Sequence, residues 1–348
     1  MYKYALTLTA LLAGCRTNDT TESHWITTTA LDAGTKLGGC AGGDLVPGRP
    51  GDEVAVVAGD GATHVVWRED GDFRSAIVAT TAGEMIQCAI GDIVADHPGQ
   101  ELVIVGMQLG AEDDGGAGEA HLVWFDGDEW AVQSLFVDNA LIHGVAAGDV
   151  DPRRPGDEVL LVGYSQLATL VYEDAGEWQV ETIAQLPGPG KNAVAWNGGA
   201  AIACSDGSLV YVAPGEDEWS STVIGRSAAG WARLGTDGDR LVAARDDGAL
   251  LLFQADGSSE IVHQENEKLR GAVLADLDPS NDDAELATAG YEMRATVLTH
   301  SAGGWTPETV FTDDARFHHA TSAELDDLGR ALFVCGYSGR VTAIWRSR

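Results

Sequence analysis

Three side chains able to carry charge or move a proton, His143, Arg270 and His318, each stand six residues ahead of an acidic residue, at Asp149, Asp276 and Glu324. Lys191, Trp231 and His319 hold related places at the head of other short apolar runs. Tyr164, Tyr291 and Tyr337 each follow a glycine at the end of a second apolar run. Gathered at one opening, these cations, donors and rings would suit an anionic or sugar-like ligand, which the charges orient and the aromatic rings stack upon. The competing reading is that the same groups bond to neighbouring segments and close the opening. His143, His318 and His319 with Cys40 and Cys88 would also suit zinc or copper. No Cys-x-x-Cys pair or paired-His spacing fixes such a site, however. No Ser, Cys or paired-carboxylate arrangement reads as a hydrolytic centre.

Equivalence of these positions rests on an internal repeat. GGDLVPGRPGDEVAVVAGD from Gly42, IGDIVADHPGQELVIVGMQ from Ile90 and AGDVDPRRPGDEVLLVGYS from Ala147 align directly. LADLDPSNDDAELATAGYE from Leu274 and SAELDDLGRALFVCGYSGR from Ser322 are degraded copies. Each copy continues into a further apolar strand, and all but the last then into a strand led by an aromatic or polar residue. Two more units, over 190–229 and 230–267, replace the acidic loop by tight turns at Asn197-Gly198-Gly199 and Thr236-Asp237-Gly238.

Third strands occur seven times along the chain, but fourth strands only six times. The missing one stands at the other end, where 24–31 reads HWITTTAL. The repeat therefore predicts an all-β, seven-bladed β-propeller of four-stranded antiparallel blades, with strand 24–31 completing the last blade. Pairing the chain ends removes an open sheet edge. The blades fall at 36–83, 84–140, 141–189, 190–229, 230–267, 268–315, and 316–348 with 24–31. Propeller connectivity then sends the His, Lys, Arg, Trp and Tyr positions to one face and the acidic loops to the other, with the insert 109–120 joining the first group. Trp25, Trp130, Trp178, Trp219 and Trp305 begin outermost strands, a recurrence expected of blade packing.

Gly148-Asp149-Val150-Asp151 running on to Val159-Leu160-Leu161-Val162 resembles the FG-GAP/VCBS class of propeller repeats. That resemblance implies Ca²⁺ in the loop between the first two strands, and Asp276, Asp278, Asp282 and Glu285 are the best-matched ligand set here. The other loops depart from the pattern: Pro152-Arg153-Arg154-Pro155 places two cations where carboxylates belong. Turn-capping by Asp is the alternative use of these side chains.

Residues 1–14 carry Lys3, a short apolar run and small residues before Cys15, as an export segment does. Leu12-Ala13-Gly14-Cys15 resembles the lipobox of bacterial lipoproteins, which implies lipidation of Cys15 and a tether over 15–23. Arg16, in place of the Asp that resembled proteins use for inner-membrane retention, favours the outer membrane. The balance of 21 basic to 54 acidic residues, net −33, argues against nucleic acid and against an anionic membrane surface, leaving the lipid as the membrane contact. These features predict an exported, lipid-anchored binding or scaffold protein of the cell envelope, whose propeller face meets an envelope protein, a carbohydrate or an anionic small ligand. An enzyme is the alternative. A polysaccharide lyase would draw on His318 and Arg270, and a quinone-type dehydrogenase on Trp231. A purely structural assembly role is the third reading.

Overall fold

Short runs of Val, Leu, Ile and Ala between Gly- and Asp-rich turns can form only narrow sheets, each needing cover on both faces. The computed structural model, which describes residues 25–95, 97–108 and 116–347, resolves this by setting seven four-stranded antiparallel sheets in a ring. The export segment, Cys15, the tether and residues 109–115 lie outside the described residues.

Within the first six blades the strands run outward in chain order, from the central axis to the rim. The innermost strands are Leu37–Gly43, Met85–Gly91, Ile142–Gly148, Gly190–Trp196, Trp231–Thr236, Val273–Ala275 and Phe317–Leu325. Each touches the next, and the seventh touches the first. Second strands such as Glu53–Ala58, Glu158–Gly163 and Gly199–Cys204 are buried at every position, because a neighbouring blade covers each of their faces. Outermost strands are mostly exposed. Trp25–Asp32 pairs antiparallel with Arg340–Arg346, from Trp25 opposite Arg346 to Asp32 opposite Arg340, so the N-terminal strand closes the seventh blade.

The apolar core is divided into seven clusters, one at each junction between adjacent blades. At the rim, the Trp that opens an outer strand ties its blade to the preceding one. The indole N–H of Trp219 donates to Glu181 at 3.0 Å, that of Trp25 to Glu308 at 3.0 Å and that of Trp305 to Glu260 at 3.4 Å. In the fourth blade, Asn197 (φ 52°) and Gly198 (φ 69°) both take the left-handed region, making the two-residue turn that joins Trp196 to Gly199.

The acidic loops between first and second strands are organised by a buried carboxylate. Glu53, Glu101, Glu158 and Glu285 open their second strands at 0–1% exposure. In each, Oε2 accepts two backbone N–H groups from the loop: Leu45 and Val46, Ile93 and Val94, Val150 and Asp151, Leu277 and Asp278. In the first three blades the residue before the Glu hooks the loop to the preceding blade. Asp52 accepts from Glu324 N–H at 2.7 Å and Asp157 from Asp92 N–H at 2.8 Å, while Gln100 accepts from Asp44 N–H at 2.9 Å.

Burial pushes the Glu158 carboxyl up to about 7, against an ordinary value of 4.5. Between those values the folded state holds more protons than the unfolded chain, so this group's contribution is complete below about pH 4.5 and is lost as pH rises to about 7. Glu158→Gln, which keeps an acceptor but sheds the charge, should gain melting temperature relative to the parent as pH goes from 5 to 8. Glu158→Ala should cost about 2–6 kcal/mol, since two buried donors then lack a partner at about 1–3 kcal/mol each. Melting curves across that pH range check both; a Gln-minus-Glu difference that shrinks with rising pH would refute the account.

Candidate functional site

Each innermost strand enters its sheet through an irregularity. Pairing jumps from Met85 to Gln87, Ile142 to Gly144, Gly190 to Asn192, Trp231 to Arg233 and Phe317 to His319. In the sixth blade, Leu269 bridges to Gly290 and the N–H groups of Arg270 and Gly271 share the Ala289 carbonyl. The skipped residue is re-aimed by the bulge. His143, Lys191, Arg270 and His318 all hold this skipped position, so the structure places them equivalently around one end of the channel.

They form two groups. At the third and fourth blades, His143 Nδ1 lies 2.9 Å from the Lys191 carbonyl and therefore donates to it. Lys191 Nζ donates to the Tyr164 hydroxyl at 2.6 Å and sits 4.4 Å from that ring's centroid. At the fifth, sixth, seventh and first blades, Arg270 is bound to the Asp246 carboxylate and to the Leu269 carbonyl. The guanidinium groups of Arg270 and Arg316 lie 5.1 and 4.8 Å from the Tyr291 ring centroid. Tyr291 and Tyr337 bring their hydroxyls within 3.4 Å. His318 Nδ1 donates to the Gly38 carbonyl at 3.2 Å and its ring meets Tyr337 edge-on. Lys36 stands over Tyr337, with Nζ 5.6 Å from its centroid, and pairs with Glu84 at 3.0 Å.

The position after each bulge makes a second ring, deeper in the channel: Gln87, Asn192, Arg233 and His319, with glycine at the first, third and sixth blades. Asn192 donates to Gln87 at 3.1 Å across the third blade, where Gly144 leaves room, and accepts from Leu234 N–H at 2.7 Å. His319 Nδ1 accepts from Cys40 N–H at 3.4 Å, which assigns the ring proton to Nε2. Arg233 is 3% exposed. Its Nη1 donates to the Ala232 carbonyl at 2.9 Å, whereas Nε and Nη2 have no hydrogen-bond partner among the described residues.

Trp231 does not join this site. It is 2% exposed, donates its indole N–H to the Gly207 carbonyl at 2.9 Å and packs in the core between the fourth and fifth blades. It occupies the paired position ahead of the bulge, which is Met85, Ile142 and Phe317 in other blades. Arg233, two residues on, is the side chain that reaches the axis. WARLGT reads as an ordinary apolar strand; the available signal was that Arg233 aligns with Gln87, Asn192 and His319, polar residues in a column where core strands are apolar.

Burial, and after it the Arg233 charge, brings His318 down to about 3. His319 is lowered for the same two reasons, and His143 by burial and then by Lys191. Near neutral pH the histidines are thus uncharged, and the positive charge resides on Arg233 and the rim side chains. Burial followed by repulsion from Arg270 draws Arg233 itself down to about 9. Of the four lysines in the sequence, the three within the described residues, Lys36, Lys191 and Lys268, all stand where the chain enters an innermost strand at this end.

The acidic loops occupy the opposite end. Asp276 and Asp282 are exposed, Asp278 pairs with Arg346 and accepts from Ser280, and Glu285 is committed to Leu277, Asp278 and Asn281. Asp151, its counterpart in the third blade, is held by Arg153 and Arg154. Among the described residues no three His, Cys, Asp or Glu side chains gather as a metal cluster. Cys40, Cys88, Cys204 and Cys335 are free and buried. Cys88 donates to the Ala55 carbonyl, while the Cys40 thiol, pushed up by burial, neighbours Cys335 and His319 instead.

No known protein family and no curated protein matches the sequence. The structure is similar to the WD40 β-propeller domain of Doa1, with a TM-score of 0.68 over 92% of this chain and 97% of that one. At 12% identity, the likeness establishes the seven-bladed propeller and nothing about activity.

The depressed histidines make the channel end acid-sensitive. Because the unfolded chain takes up protons near pH 6.5 and folded His318 only near 3, its contribution is intact above 6.5 and lost as pH falls through that window. His318→Gln, which has no charge to gain, should melt with a shallower decline between pH 6.5 and 4 than the parent. Parallel acid limbs in calorimetry would contradict this.

Proposed function

We propose that this chain is a ligand-binding propeller of the cell envelope, holding an anionic ligand, with acidic carbohydrate foremost, at the channel mouth. One observation carries the reading. In a chain of net charge −33, Lys36, Lys191 and Lys268 converge with Arg270 and Arg316 on a single rim furnished with Tyr164, Tyr291 and Tyr337. Cationic donors beside aromatic faces recognise sugar acids, and a cationic spot on an otherwise anionic body steers an anion to one place. The kinship to FG-GAP/VCBS repeats belongs to the same proposal, as does an envelope protein displaying acidic groups as the ligand's carrier. Arg270 is tied to Asp246 and His318 to the Gly38 carbonyl, so Arg270 serves here in positioning and charge and the uncharged His318 in positioning alone.

Calorimetric titration with oligogalacturonate and with a neutral oligosaccharide of equal length tests the reading. The acidic oligomer should bind more tightly, and rising salt should weaken it. The triple variant Lys36→Ala, Lys191→Ala, Lys268→Ala should lose about tenfold in affinity, at about 0.5 kcal/mol for each screened rim charge. Equal binding of the neutral oligomer, or an unaffected triple variant, would defeat it. Turnover of the acidic oligomer, abolished in His318→Ala, would make the mouth an active site instead.

Anchoring to the envelope follows from Leu12-Ala13-Gly14-Cys15. Bacterial cells fed labelled palmitate should incorporate it into the parent chain and not into Cys15→Ser, which should be recovered without detergent. An unlabelled parent chain would remove the anchor from the proposal.

A further inference from the structure

The deeper ring of the channel is divided into two dissimilar halves. On one side Gln87 and Asn192 flank Gly144 and join directly, and their remaining bonds go to Leu234 N–H and the Lys191 carbonyl. That half is internally satisfied. On the other side Arg233 and His319 flank Gly271 in the corresponding way, but nothing joins them. Arg233 turns one nitrogen to a backbone carbonyl and keeps Nε and Nη2 unpartnered among the described residues, although it is 97% withdrawn from solvent by its 3% exposure. His319, with Nδ1 accepting from Cys40, has Nε2–H as its donor.

Buried guanidinium groups without partners are rare, because desolvating the charge is costly unless an anion compensates it. Nε and Nη2 form one edge of the guanidinium, and that edge matches two oxygens of a single planar group. The charge count points the same way. Arg270 pairs with Asp246, a carboxylate that Lys268 also approaches at 3.7 Å, and the surrounding histidines are uncharged near pH 7. Below the rim cations, Arg233 is a positive charge with no carboxylate hydrogen-bonded to it among the described residues, and donors flank it. We propose that Arg233 and His319 seat a carboxylate of the ligand between them, beside Gly271, in the channel beneath the mouth. The inference rests on the anion-binding reading of the rim and specifies the group that penetrates below it. A uronic acid or a small carboxylic acid meets the requirement; a phosphate dianion brings one charge more than the seat offers.

The probes are sodium acetate, glucuronate and phosphate, each compared with chloride at equal ionic strength, against the full chain and three variants. Acetate and glucuronate should raise the parent's melting temperature beyond chloride, because a ligand bound only to the folded state must stabilise it. Arg233→Met should abolish that rise and weaken glucuronate at least about tenfold, while melting no lower than the parent in carboxylate-free buffer. Arg233→Lys, which keeps charge but not the two-toothed edge, should recover only part of the affinity. If Arg233→Met fails to fold, crystals of the parent grown with and without acetate decide the matter: density between Arg233 and His319 supports the seat, and acetate found elsewhere overturns it. Glucuronate binding retained by Arg233→Met but lost by the triple lysine variant would end this inference and leave the rim reading standing. No response of the parent to acetate, glucuronate or oligogalacturonate would end both. Phosphate binding tighter than either carboxylate would overturn the choice of ligand group.

Discussion

The close approach of seven innermost strands around one axis governs the rest of this molecule. A Cβ on Gly38 would lie 2.6 Å from the Ile86 carbonyl oxygen, one on Gly39 2.8 Å from Gln87 Cα and one on Gly144 2.7 Å from Asn192 Cα. Seven blades cannot meet this closely unless several contribute no side chain, and where a side chain is retained it is surrounded by backbone. Whatever polar group stands there is desolvated. Hence the channel holds lowered histidines and a lowered arginine without any elaborate charge network to perturb them. The perturbations follow from ring closure, which in turn depends on the first described strand pairing with the last.

Closure also explains how a chain so acidic keeps its charges apart. At one end, carboxylates do structural work. Buried Glu53, Glu101, Glu158 and Glu285 take loop N–H groups, and Asp52 and Asp157 lash successive blades together. At the other end Lys36 and Lys191 stand over tyrosine rings and Lys268 pairs with Asp246. Both arrangements arise from one repeated unit whose two ends have diverged, and the repeat forces divergence to act in columns. Altering the bulge residue in several blades changes one rim without touching the opposite loops.

Strand number, blade order and terminal closure were all legible in the sequence, because each depends on apolar runs and turns that recur in register. The equivalence of His143, Arg270 and His318 was legible for the same reason. Arg233 was not. A bulge inserts one residue into the pairing, so strict two-residue alternation fails just where the chain enters the sheet, and the residue expected at the axis is displaced. Trp231 was read as lining the mouth and proved to be core, whereas Arg233 lies in what looked like strand interior. The bonding within the acidic loops was not legible either. Asp276, Asp278, Asp282 and Glu285 have ligand chemistry, but spacing alone does not reveal that Glu285 is spent on backbone donors and Asp278 on Arg346 and Ser280.

Local rules are usually broken where function requires it, and the chain meets the cost through stability elsewhere. Gln87 and Asn192 show that the same ring can be closed by a neutral, fully bonded pair. The other half of the ring uses an arginine and a histidine that cannot bond to each other, in a medium that penalises the charge. Replacing Arg233 by an apolar side chain of similar length would remove that penalty and, among the described residues, would take a donor from the Ala232 carbonyl alone. A purely structural throat would gain from that exchange. On the binding proposal the guanidinium becomes favourable when a carboxylate occupies the channel, and the asymmetry between the two halves of the ring is the observation on which that proposal stands.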